Sequence, residues 1–209
     1  VNYLDYAISM PYGSQLYGTA TAESDLDILT LYCESEADLF ARRYPKIEQP
    51  HVNAQIEVDE KFMSLGQFVH LLAKGDPHWS PIALQYPELN YLTELLVSAH
   101  TVGRMISMSH AQARDESSPK QRAHGFRTAL AAFDLFTTGE VRYPLNEADR
   151  EAYHAIRNEE VHGASQTFGI TEILTDIKIT TRLRKEPNFD LAAEETMRIY
   201  QQAWELRRL

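Results

Sequence analysis

The chain has little with which to cross-link itself, cross a membrane or hold nucleic acid by charge alone. Cys33 is its only cysteine, so no internal disulfide can form, and the thiol follows an apolar run that buries it. Reducing surroundings and a cytoplasmic protein are the simplest expectation. No apolar run approaches the ~18 residues of a membrane helix, and no secretory leader is legible, although Val1 is not an initiator methionine. Positive charge is scarce: 20 Lys and Arg stand against 30 Asp and Glu, a net −10, which argues against a general nucleic-acid binder. Internal repeats and low-complexity segments are also absent. The 209 residues, 44% of them apolar, are enough for one domain or two small ones with a real core.

The acids and bases are unevenly placed. Residues 21–60 hold ten acids and three bases, whereas residues 100–127 hold five bases, two acids and three histidines. An acidic half facing a more basic half suits a metal-bound triphosphate; solvated faces are the plainer explanation.

The most informative stretch is Pro11 to Leu31, PYGSQLYGTATAESDLDILTL. Leu26, Ile28, Leu29 and Leu31 mark a buried strand running from Asp25 to Cys33. Alternate strand residues point to one face, so Asp25 and Asp27 project together, roughly 6–7 Å apart at their bases. Two carboxylates so placed suit hard divalent cations, and magnesium is commonly held by one or two carboxylates plus substrate phosphates. Upstream, Ala7–Met10 reads as a strand or as the end of a helix entering one, and Gly13-Ser14 follows it and begins a short helix. Glycine allows close backbone approach there, and free N–H groups would favour phosphate. A phosphate cradle followed by a metal-binding strand outlines a nucleotidyl-transfer site.

Further on, residues 34–53 read as a long loop or an irregular insertion. Gln55–Glu60 alternates as a strand with Glu57 and Asp59 on one face. The amphipathic segment Lys61–Lys74 reads as a helix stopped by Gly75-Asp76-Pro77, with Lys74 as its C-terminal charge. A short helix begins at Trp79, a packing residue like Tyr12 and Tyr17. Long helical patterns then cover Tyr91–Ala113, Pro119–Thr138, Glu147–Glu160, Gln166–Lys185 and Leu191–Arg208. Asp115–Pro119, DESSP, is a linker and cap region, and Gly139 is a stop. The expected fold is α+β: a small mixed sheet with flanking helices over residues 1–88, then a C-terminal helical bundle over residues 89–209.

Gly13-Ser14, ten intervening residues and Asp25-x-Asp27 resemble the signature of the DNA polymerase β nucleotidyltransferase superfamily. The longer pattern GSxxYGTxxxxSDxD from Gly13 to Asp27 resembles its RNA-repair-associated branch. Lys74-Gly75-Asp76-Pro77, the K-x3-H-x2-R spacing of Lys120, His124 and Arg127, and Thr138-Gly139-Glu140 extend the similarity to about residue 160. The resemblance implies a nucleotidyltransferase that passes a nucleoside monophosphate from an NTP to a hydroxyl and releases pyrophosphate, with two Mg2+ or Mn2+ ions. It implies Asp25, Asp27 and a third acid, Asp59 with Glu57 as the alternative, as metal ligands. Gly13, Ser14, Lys120, His124 and Arg127 become nucleotide-binding residues. The acceptor stays open among an RNA or tRNA end, a protein and a small molecule, as does the oligomeric state. Two other readings remain. One is a non-catalytic nucleotide-binding or regulatory protein on the same fold. The other starts from Arg157-Asn158-x3-His162, which resembles the R-N-x3-H motif of HEPN ribonucleases and hence a toxin–antitoxin component.

Overall fold

The computed structural model describes residues 7–41, 58–114, 117–160 and 183–206. Among them is a three-stranded mixed sheet in the order β1-β2-β3. Strand β1 (Ile8–Pro11) pairs antiparallel with β2 (Leu26–Tyr32), and β2 pairs parallel with β3 (Val58–Ser64). The parallel register sets Leu26 beside Val58 and Asp27 beside Asp59. Helix α1 (Gly13–Tyr17) fills the turn from β1 towards β2, and α2 (Glu36–Ala41) follows β2. The expected loop from residue 34 is therefore helical at its start; residues 42–57, with Glu57 among them, lie outside the described residues.

Helix α3 (Leu65–Ala73) begins four residues later than the apolar spacing predicts. Lys61 to Ser64 instead prolong β3 against Leu29 to Tyr32, because their backbone groups complete the ladder and Ser64 then caps α3. Its hydroxyl accepts from the Gln67 N–H at 3.2 Å. Gly75, at φ +66, ends that helix. Asp76 then accepts from the His78 and Trp79 N–H groups, both at 2.9 Å, and so aims the entry to α4 (Trp79–Ala83). The expected helix Tyr91–Ala113 is two helices, α5 (Asn90–Leu96) and α6 (Ala99–Gln112). Val97 and Ser98 are extended at the break. The Ser98 N–H donates to the Thr101 hydroxyl at 3.2 Å, the Thr101 N–H donates to the Ser98 carbonyl at 2.9 Å, and the Ala99 N–H donates to the Arg184 carbonyl at 2.8 Å. That bridge also places Arg184 outside the helix expected over Gln166–Lys185; residues 161–182 lie outside the described part.

Helix α7 (Pro119–Thr138) has the expected ends: a Ser118–Gln121 capping box, Pro119 in the first turn, and Gly139 at φ +80. Helix α8 (Glu147–Arg157) is one turn shorter than expected, and α9 spans Phe189–Leu206. The core lies under the sheet, where Met10, Leu29, Leu31 and Met63 meet Phe68, Leu72 and Ile82. Helix α6 packs on α7 through Val102, Met105 and Leu135, and α7 on α8 through Ala123, Phe126 and Ile156. Helix α9 returns to the first half. Its Tyr200 hydroxyl donates to buried Glu34 at the end of β2 and accepts from the Gly66 N–H at 2.9 Å. Cys33 is buried in the same cluster, as expected.

Candidate active site

Local rules bring the three aspartates together. Asp25 lies just before β2, Asp27 is its second residue, and the parallel register puts Asp59 of β3 alongside Asp27. Alternation turns the Glu60 side chain to the opposite face, where it accepts from Thr30 at 2.9 Å. One carboxylate oxygen from each of Asp25, Asp27 and Asp59 lies within 4.8 Å of the other two. Oxygen donors this close could hold a hard cation. Burial and the charges of Asp25 and Asp59 raise the pKa of Asp27; Lys120 and the Ser14 backbone N–H oppose them. The protein therefore assembles negative charge at some cost and leaves it only partly compensated.

Gly13 makes that approach possible. At φ +65, a Cβ on it would sit 1.8 Å from Asp27 Oδ2, so no side chain fits while Asp27 stays in place. The Ser14 backbone N–H, expected to meet phosphate, is engaged by Asp27. Ser14 lines the cleft, and its hydroxyl is buried with no hydrogen-bond partner.

The aspartates form one wall of a cleft of about 300 Å³ whose other wall belongs to α7 and α8. Lys120, His124 and Arg127 face it together, as positions i, i+4 and i+7 of a helix must. Arg127 is only 5% exposed, and its Nε and Nη1 have no hydrogen-bond partner. Orphaned donors on a buried guanidinium are costly unless an anion completes them. His124 is held down to about 4, chiefly by burial, then by Arg127 and Lys120. His78 is likewise held down to about 4 by burial and by Arg127. Both imidazoles are neutral near pH 7.

Sequence reasoning did not assign the cleft residues Thr19, His78 and Tyr153. Thr19 is 1% exposed with an unpartnered hydroxyl. Its place directly after Tyr17-Gly18 is a sequence signal, whereas His78 and Tyr153 reach the cleft only through the tertiary fold. Arg157 lines the cleft too, but its expected companion His162 is outside the described residues. Trp79 is buried in the core, 5% exposed, under the His78 ring. Tyr17 is buried as expected, while Tyr12 is half-buried and forms part of the cleft wall. No described helix is long and apolar enough to cross a membrane. No protein-family model, curated protein or solved structure matches the chain.

Proposed function

We propose that this chain is a divalent-metal-dependent nucleotidyltransferase, with a catalytic half over residues 1–88 and a helical half over residues 89–209 that closes the cleft. It transfers a nucleoside monophosphate from an NTP to a hydroxyl and releases pyrophosphate. The observation that carries this reading is a three-carboxylate cluster facing a buried arginine with two unpartnered nitrogens across one cleft. A metal site alone would not need the arginine, and an anion site alone would not need the carboxylates. Within the cleft, three aspartates balance Lys120, Arg127 and Arg157. Adding two divalent cations would make the site complementary to a fully ionised triphosphate.

The residues fit such cations: the donors are all carboxylate oxygens, and Gly13 alone allows the backbone to approach Asp27. Two Mg2+ or Mn2+ ions would supply Lewis-acid stabilisation of the incoming and leaving oxygens. Asp25 and Asp27 would hold both, and Asp59 would complete the one on the acceptor side. Arg127, Lys120 and the Ser14 hydroxyl bind the polyphosphate, and neutral His124 donates a hydrogen bond without adding charge. The acceptor oxygen bonds to the α-phosphorus as that phosphorus loses its bond to the β-phosphate bridge oxygen. Pyrophosphate departs, and the hydroxyl proton passes to the Asp59 carboxylate.

The test is pyrophosphate release from each NTP with magnesium or manganese, offered total RNA, the protein itself or a small-molecule hydroxyl. The pool that supports release identifies the acceptor. Metal-dependent NTP binding without release in any pool would replace this reading with a regulatory binding protein. RNA cleavage without NTP would favour the HEPN-type reading.

A further inference from the structure

The Arg127 guanidinium is buried without a carboxylate partner; Tyr143 is hydrogen-bonded to it, while Nε and Nη1 have no partner. Its Cζ lies 3.5 Å from the centroid of the Tyr17 ring, and Tyr17 is itself 4% exposed. Among the described residues no ion pair involves Arg127. The ring has little freedom to move. Gly18 closes its helix at φ +71, the Leu145 N–H donates to the Tyr17 carbonyl at 3.0 Å, and Tyr143 packs 5.0 Å away ring to ring.

A guanidinium can be held through its face or through its N–H edge. A carboxylate takes the edge and consumes the donors. An aromatic ring attracts the cation through its negative face and leaves the donors in the guanidinium plane. We infer that Tyr17 is a positioning residue: it holds Arg127 by the face, so that Nε and Nη1 stay available to an oxyanion in the cleft. This rests on the reading above, in which that oxyanion is the polyphosphate of the nucleotide. The arrangement keeps Arg127 buried and oriented before the ligand arrives, which reduces the ordering cost of binding.

The experiment is calorimetric titration of the full chain with inorganic pyrophosphate and magnesium. Tyr17→Phe keeps the ring face and stays within a few-fold of wild type. Tyr17→Leu weakens affinity by about three- to thirty-fold, the range of a desolvated cation–π contact. Because Tyr17→Leu also opens the core, 3,4,5-trifluorophenylalanine at position 17 provides the isosteric control. Fluorination withdraws the negative face without changing the fold, and affinity falls relative to Phe. Equal affinity for the Phe and trifluoro-Phe proteins overturns the inference while leaving the proposed function intact. A folded wild type that binds neither pyrophosphate nor NTP overturns both.

Discussion

Replacing Asp27 with Asn should have opposite effects on stability with and without metal. In the metal-free protein Asp27 lies in the field of Asp25 and Asp59, and its pKa is raised by burial and by those two charges. A carboxyl whose folded pKa is raised favours folding when protonated, and that stability is lost as pH rises through the folded pKa. At pH 7 the neutral amide removes the repulsion. Its carbonyl can still accept from the Ser14 N–H, so metal-free Asp27→Asn melts at or above wild type. With metal the order reverses. A cation bound only by the native state adds about 2.7 kcal/mol at a hundred times its Kd. For a 209-residue chain that corresponds to a rise of roughly 5–11 °C. Thermal unfolding with chelator and with a manganese series reads both limbs. Wild type should rise with manganese and the variant should not. A variant that melts lower without metal and gains as much from manganese as wild type would refute the argument.

Four further outcomes follow from the same structure. His78 and His124 are depressed to about 4, so their contribution to stability is full above the unfolded value near 6.5 and is lost as pH falls towards 4; His124→Gln should flatten the loss of melting temperature between those limits. Polyphosphate beside these imidazoles favours their charged form, so NTP binding at pH 5 to 6 should take up protons, visible as a dependence of the calorimetric enthalpy on buffer. Arg127→Met keeps the buried stem and removes the donors, and should weaken pyrophosphate binding by about ten- to a hundred-fold, the scale of charged hydrogen bonds. Tyr200→Phe removes a donor to Glu34 and an acceptor for the Gly66 N–H; it should cost about 1–3 kcal/mol in denaturant unfolding yet leave manganese affinity unchanged.

The site was legible where its geometry is local. Two-residue periodicity put Asp25 and Asp27 on one face, and i, i+4, i+7 spacing put Lys120, His124 and Arg127 on another, because neither depends on the rest of the fold. The cap at Ser118 and the stop at Gly139 were equally local. Phe62, Leu65 and Phe68 satisfy a helical period and so place the strand–helix boundary at Lys61, whereas β3 runs on to Ser64, because the ladder that holds residues 61–64 extended comes from β2, some thirty residues away. The break at Ser98 was hidden inside a continuous helical pattern; it is held by Arg184, remote in sequence. His78 could not be foreseen in the cleft because Asp76 and the core position of Trp79 aim it there. The buried donors of Arg127 were invisible for the same reason, since exposure belongs to the packed chain.

The most direct test of the central claim is transfer from α-³²P-labelled NTP, with magnesium or manganese, into the protein alone and into total RNA, beside an Asp25→Ala/Asp27→Ala double variant of unchanged fold. The account predicts metal-dependent covalent label in one of these pools, or in a supplied small-molecule hydroxyl, and none with the variant. Transfer that persists in the double variant, or no transfer to any of the three acceptor classes by a wild type that binds the nucleotide, would contradict it.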